Sequence, residues 1–484
     1  MTDRKTWLGL AISLFLCGCT LAPKYTKPEA PIPSSWPTGP AYQGVKPAPR
    51  VNELHWEAFF TDERMKKIIA MALSHNRDLR VASLRVEQAG ALYGIQRAEL
   101  WPTVDAVGRG SREGVPADLS ETRKRMIRER YSVDLGLLAW EIDFFGRIRS
   151  LKDRALEEYL STEEARRSAE LSLRAAVAIT YLALAADGEI LKLAQSTLQI
   201  QEAMYKLIQR RFQVGLASEL DLHRAQTQVD TAKRDVARYT ERVAQDQNAL
   251  HLLVGSPVPN ELLPTRLDEV GPPMEVSAGL SSEILLSRPD ILAAEHQLKA
   301  VNAHIGAARA AFFPRISLTT TQGTASKELS GLFKGGSRAW SFVPQIVMPI
   351  FDSRTWLALK AIKVEREIAL AQYEKAVQSA FREVADALAE RGTIKNQIAA
   401  QESLVHSLEE AHRLSTLRYT KGIDGYLGVL DAQRSLYGAQ QGLIALRLAD
   451  LSSRVTLYKV LGGGDRVADE EKKETQGDGG DPSR

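Results

Sequence analysis

The stretch 131–147, YSVDLGLLAWEIDFFGR, decides the fold. In its first half Tyr131, Val133, Leu135 and Leu137 alternate with Ser132, Asp134 and Gly136. A period of two belongs to a strand with one apolar and one polar face. At Gly146 the pattern changes. No proline interrupts 146–214, where Ala, Leu, Glu, Arg and Gln dominate, so one helix of roughly 100 Å is expected at 1.5 Å per residue. Leu171, Ala175, Ala178, Leu182 and Ala185 give it a stripe of small side chains that allows close approach of a partner helix.

Outward from this stretch, strands are expected at 103–111 and 131–142, around a charged segment at 112–130, and again at 315–323 and 341–350 around a Gly/Ser-rich segment. Each is long enough to cross a bilayer at a tilt, about nine to eleven residues. Two hairpins cannot close a barrel, and open edges in lipid leave backbone groups unpaired. If these strands span a membrane the chain must oligomerise, and three chains bring twelve strands. The strand at 341–350 is the least regular, because it contains Pro344 and loses alternation over 343–349.

The chain also repeats itself. At an offset of 212, Asp78, Ala82, Ala91, Gly94, Arg97, Ala98 and Pro102 meet Asp290, Ala294, Ala303, Gly306, Arg309, Ala310 and Pro314. At an offset of 207, Phe144, Arg147, Arg211, Gly215, Leu220, Ala225, Gln226 and Gly255 meet Phe351, Arg354, Arg418, Gly422, Leu427, Ala432, Gln433 and Gly462. Order is kept across both sets, so the chain is a tandem duplication with a period too long for a solenoid. Each copy reads helix, two strands, very long helix, turn, helix. Helices are expected at 77–101 and 217–254 in the first copy, Pro102 and Pro314 mark the helix-to-strand junctions, and Gly215 and Gly422 mark the hairpin turns. The two shorter helices together match the long one in length and could stack end to end beside it.

The 484 residues carry 63 basic and 60 acidic side chains, a net charge of +3 that gives no global electrostatic case for nucleic acid. Both cysteines, Cys17 and Cys19, fall in the first twenty residues, so no disulfide framework or cysteine metal site can hold the body. Arg4 and Lys5 precede an apolar run at 7–16 that is too short to span a bilayer and reads as a signal peptide over 1–18. The Pro-rich stretch 23–49 reads as an extended tether, and 465–484 as a disordered tail. No His-Glu-x-x-His, Walker or Gly-x-Ser-x-Gly pattern is present, and His296 and His304 read as surface histidines on a helix, so neither catalysis nor a metal or other cofactor is expected.

Leu16-Cys17-Gly18-Cys19 resembles a bacterial lipobox, which implies acylation of Cys19, and Thr20 after it points to the outer membrane. Ala22-Pro23-Lys24-Tyr25, the string from Trp140 to Arg147, and Arg418-Tyr419-Thr420-Lys421-Gly422 leading to Val429-Leu430-Asp431-Ala432-Gln433 resemble the TolC-like outer-membrane factors, in particular their lipidated efflux subgroup. The resemblance covers nearly all of the mature chain. It implies a mainly α fold with a small β part: a homotrimer whose four strands per chain complete a twelve-stranded barrel, continued by a periplasmic helical tunnel. On this reading 19–57 is the lipid-anchored N-terminal segment, 58–256 and 289–464 are the two repeats, and 257–288 is an equatorial linker.

The implied function is a passive exit duct for drugs or other small molecules, docked to a periplasmic adaptor and an inner-membrane pump of the resistance-nodulation-division type. Family gate and pore positions map onto Asp221 and Tyr419, a carboxylate and a phenol able to hydrogen-bond across helices, and onto Asp431, a ring of three carboxylates. Asp424 replaces a basic gate residue and Gly428 a pore acid. Type I protein secretion, metal efflux and export of an aromatic compound stay open at this stage, as does a non-pore periplasmic coiled-coil adaptor, which the two alternating hairpins disfavour.

Overall fold

The computed structural model describes residues 20–43, 49, 54–279 and 281–464. The signal segment with Cys17 and Cys19, and the tail at 465–484, lie outside the described residues. Three helices, α1 (Trp56–Phe59), α2 (Glu63–His75) and α3 (Arg77–Ala98), lead into β1 (Val104–Val115), β2 (Met126–Ile142), α4 (Arg147–Gln213) and α5 (Glu219–Val254). After three short 3-10 turns the plan recurs as α6 (Pro289–Ala310), β3 (Arg315–Ser326), β4 (Arg338–Val347), α7 (Ser353–Thr420) and α8 (Tyr426–Val460). Pro102 and Pro314 stand between helix and strand in each copy, and Pro289 takes the first position of α6, where its missing N–H costs nothing.

The sheet is antiparallel throughout, in the order β1-β2-β3-β4, with β1 and β4 at its edges. The first hairpin runs further than alternation suggests. Within the segment read as a loop, Arg112 faces Glu129 and Glu113 faces Arg128, and the Arg112–Glu129 pair closes to 2.9 Å. Opposite charges directly across a ladder support pairing, so strand continues where the residues look like loop. Pro344 lies in the edge strand β4 opposite Leu318, the place where a missing backbone donor is tolerated.

The register sorts the sheet into two faces. Asp105, Arg109, Arg130, Ser132, Asp134, Thr321 and Ser341 share a concave polar face. Val104, Val133, Leu135, Trp340, Phe342 and Ile346 share the other and are exposed. An exposed apolar face of this extent needs lipid or protein to cover it.

Between Leu137 and Trp140 the register with β3 slips by one residue, and Ala139 there has φ 56°. The bulge reverses the parity of β2. Leu137 is odd-numbered, yet Trp140 and Ile142 stay on the apolar face opposite Leu318 and Ile316. Glu141 is turned to the polar side, where it holds Arg147 at 2.8 Å and Arg315 at 2.6 Å.

The chain forms two compact units, and each draws on both copies. Of the described residues, the first takes those within 20–29, 85–163 and 293–373, and the second those within 30–84, 164–292 and 374–464. In the first, Phe145 stacks on Phe313 at 4.9 Å, and Ile148, Leu298 and Ile305 are buried. In the second, Phe59 stacks on Tyr458 at 4.1 Å above Phe60, Met65, Ile68 and Ile69, all fully buried. The most apolar window of α4 contributes Tyr181, Leu182, Leu184 and Ala185 to that core. Compact units cut across the repeats because α4 and α7 are too long to belong to one core.

The N-terminal stretch is a strap rather than a free tether. An extended Pro-rich chain leaves its carbonyls without a ladder, and here side chains supply the donors. In the first unit Asn302 donates to Pro23 O at 2.8 Å and Arg309 to Leu21 O at 3.0 Å. In the second, Trp36 stacks on Phe381, and Ala41 O passes so near Gly392 that a Cβ there would sit 2.0 Å away.

Candidate functional site

The two helix-hairpin ends carry most of the residues singled out from sequence. At the first, the N–H of Leu216 donates to Arg211 O at 2.7 Å and that of Gly215 to Phe212 O at 3.0 Å; at the second, Ile423 donates to Arg418 O at 2.9 Å and Gly422 to Tyr419 O at 3.0 Å. Gly215 and Gly422 both adopt φ +74°. These are two Schellman turns, and glycine fills each left-handed position because a Cβ there is strained. The duplication seen in sequence is therefore a duplication of turn geometry.

The chemistry around the turns differs between the copies. Ser218 caps α5: its Oγ accepts from the Asp221 N–H at 3.1 Å and donates to the Asp221 carboxylate at 2.7 Å. The corresponding positions at the offset of 207 are Gly425 and Gly428, and α8 begins without a side-chain cap. In place of that box, Asp424 accepts from the Arg418 guanidinium, with Nη2 to Oδ1 at 3.1 Å, an ion pair that holds Asp424 below the usual carboxylate range.

Beneath both turns Ile208, Ala225, Tyr419, Tyr426, Val429 and Leu430 form one apolar cluster. Tyr419 and Tyr426 lie 5.3 Å apart between ring centroids, and the Arg211 guanidinium sits 5.0 Å over the Tyr419 ring, a cation–π contact. Burial pushes the Tyr426 phenol up to about 12. It also raises that of Tyr419, against the pull of Arg211.

Asp221 and Tyr419 thus share this end, yet no hydrogen bond joins them among the described residues. The Asp221 carboxylate is engaged by Ser218 and approached by Arg224 at 3.9 Å, while Tyr419 faces inward. Asp431 is exposed on α8, one turn further along, and is paired with Arg434 at 3.0 Å. A lone carboxylate is not what the helix presents there.

Sequence reading missed several groups. Arg434 pairs with Asp431 and was readable as an i,i+3 neighbour, while Arg211 lies over the Tyr419 ring across the hairpins. Asp187 on α4 and Asp246 on α5 face each other, with Arg242 at 3.8 Å from Asp187. Burial and then the Asp187 charge push Asp246 up to about 6, and burial raises Asp187 as well. His296 is held by Glu157 at 2.6 Å and His304 lies against Arg154 at 3.1 Å. Among the described residues no group of His, Cys, Asp and Glu could hold a metal.

The sequence profile described as outer membrane efflux protein matches residues 68–256 and 280–463. The chain belongs to the outer membrane efflux protein family. It is 48% identical over 464 residues to the toluene efflux pump outer membrane protein TtgC of Pseudomonas putida, covering 95% of this chain and 96% of that protein. To outer membrane protein OprJ of Pseudomonas aeruginosa it is 42% identical over 469 residues, 94% of this chain and 95% of that one.

Among solved structures, the open state of the MtrE outer membrane channel of Neisseria gonorrhoeae matches with a TM-score of 0.83 at 38% identity, covering 92% of this chain and 98% of that chain. A membrane protein from Pseudomonas aeruginosa matches at 0.87 and 41%, with the same coverages of 92% and 98%. For an outer membrane efflux protein the two-faced sheet is the membrane part: lipid covers the apolar side, and the concave polar side lines the route. The helical majority of the chain belongs to the periplasm.

Proposed function

We propose that the chain is the exit duct of a tripartite efflux pump, a homotrimer whose three four-stranded sheets close into one twelve-stranded barrel. The observation that carries this reading is the sheet, with Val104, Val133, Leu135, Trp340, Phe342 and Ile346 on one face and Asp105, Arg109, Ser132, Asp134 and Ser341 on the other, and with both edge strands lacking a partner among the described residues. Unpaired backbone groups at a sheet edge cost several kcal/mol each in lipid, and closing β1 onto β4 of a neighbouring copy removes that cost. Cys19 would carry the lipid anchor, and the strap from Leu21 onward would lead from it along α6.

A periplasmic adaptor and an inner-membrane pump of the resistance-nodulation-division type would supply the cargo and the energy. The names of relatives point to organic solvents such as toluene and to antibiotics as the cargo class. The tip residues Asp221, Tyr419, Asp424 and Asp431 would form the resting entrance, with Arg224, Arg418 and Arg434 as counter-charges of the three acids and Arg211 over the Tyr419 ring. Reconstitution of the purified full chain in planar bilayers tests the reading: discrete channel openings from a heat-modifiable trimer are expected, whereas a protein released from membranes by high salt alone, without conductance, would overturn it.

A further inference from the structure

Within the first unit, the strap and two helices enclose a groove of about 420 Å³ between Lys24, Arg309 of α6, and Lys360, Lys363 and Arg366 of α7. Glu367 is its one acidic side chain, and it pairs with Arg366 at 2.9 Å. Lys24, Lys360 and Lys363 make no ion pair among the described residues. Arg309 spends Nη1 on Leu21 O at 3.0 Å, which leaves the rest of its fork facing the groove. Five cations against one carboxylate in a small concavity call for an anion with several acceptor oxygens.

The level of the groove says which anion. Arg309 lies six residues before β3 begins, and α7 starts six residues after β4 ends, with Lys360 two turns along it, roughly 10 Å at 1.5 Å per residue. Phe351 and Trp356, at the head of α7, are 92% and 68% exposed, and Trp101, just before β1, is 70% exposed. Exposed aromatic side chains at the ends of membrane strands mark the interfacial layer, and long basic side chains reach into that layer from just outside it. The strap runs through the same groove, with Asn302 on Pro23 O, so the groove opens on the side from which the N-terminus approaches.

We propose that this groove binds the phosphate of an anionic glycerophospholipid in the periplasm-facing leaflet, one lipid per protomer. The inference rests on the outer-membrane placement given above and does not require acylation of Cys19.

The test uses the full-length trimer in mild detergent, probed by native mass spectrometry with phosphatidylglycerol, with phosphatidylcholine, and with inorganic phosphate. Phosphatidylglycerol is expected to bind up to three per trimer, at least about tenfold more tightly than phosphatidylcholine, and to resist displacement by equimolar inorganic phosphate. Lys360→Gln with Lys363→Gln should weaken that binding about tenfold or more, since each basic residue near an anionic surface contributes substantially, while Lys360→Arg with Lys363→Arg retains it. If the double variant fails to assemble, Lys24→Gln and Lys363→Gln singly serve the same purpose, each lowering retention.

Equal retention of both lipids, or variants that bind as the parent does, would overturn the proposal. So would displacement by inorganic phosphate, which indicates a free-anion site, or loss of the trimer at unchanged lipid content, which indicates a contact between protomers. Conductance of the same preparation separates the two readings. A conducting trimer indifferent to phosphatidylglycerol removes only the lipid site, whereas a non-conducting one removes the channel.

Discussion

Asp431 and Arg434 lie three residues apart on the exposed side of α8, joined at 3.0 Å. Exposed pairs of this kind contribute little stability, so their effect is on the local field. In the proposed trimer a ring of three Asp431 carboxylates would favour cations, and the three Arg434 guanidinium groups beside it would offset that preference. Replacing Arg434 by Ala is therefore expected to raise cation selectivity in planar bilayers, and Asp431→Asn to lower it; reversal potentials in a salt gradient read both, and identical potentials would remove Asp431 from the pore. The half-buried acid pair Asp187 and Asp246 predicts a pH effect of definite sign. Because the folded-state value of Asp246 is raised to about 6, the native state binds more protons than the unfolded chain between about pH 4 and 6, and stability falls as pH rises through that window. Asp246→Asn should raise the melting temperature at pH 7.5 and leave it unchanged near pH 4. Tyr419 and Asp431 fall within motif strings that the sequence shows, whereas Asp221 was mapped by the family resemblance alone. Partners three residues away on the same helix, Arg224 for Asp221 and Arg434 for Asp431, were readable by spacing, whereas Arg211 over Tyr419 was not, since that contact depends on helix faces meeting across the hairpins.

At the scale of elements, the duplicated plan, the unbroken long helix and both glycine turns are written in local propensity and in the chain's likeness to itself. The extent of the strands is not. Alternation was readable only as far as Leu137, because the bulge at Ala139 reverses parity and leaves Trp140 and Ile142 looking out of phase. The charged ends of β1 and β2 read as loop because their pairing, Arg112 with Glu129 and Glu113 with Arg128, is a property of two strands together. The bulge makes a sharp prediction. Deleting Ala139 takes out the extra residue and leaves Trp140 and Ile142 opposite Leu318 and Ile316, so the heat-modifiable oligomer should persist, whereas deleting Leu138 and Ala139 together would turn Trp140 and Ile142 to the polar side and Glu141 to the lipid, so that the oligomer should be lost from outer-membrane fractions. Ala139→Gly keeps the bulge and relieves a left-handed conformation at φ 56°, which stabilises by about 1 kcal/mol. A higher urea midpoint with unchanged oligomer is the expected readout. The strap was read as a tether for a related reason: proline-rich composition indicates extension, whereas docking is decided by side chains such as Asn302 and Arg309 far along the chain.

For the whole molecule the decisive fact is that neither repeat, nor the two together, completes the sheet. β1 and β4 are separated by two intervening strands, roughly 14 Å at about 4.8 Å per strand, so they cannot be bridged within one chain. The native cysteines lie only at Cys17 and Cys19, which leaves the strands free for engineered thiols. Val107 on β1 and Ala339, Ser341 and Val343 on β4 share the polar face by register. Chains carrying Val107→Cys together with Ala339→Cys, Ser341→Cys or Val343→Cys, oxidised in outer-membrane fractions and run on denaturing gels, measure closure directly. The account predicts that at least one pairing gives a covalent ladder ending at three chains, and that no single-cysteine variant passes two. A ladder that continues beyond three, or no crosslinking between chains in any pairing, would contradict it.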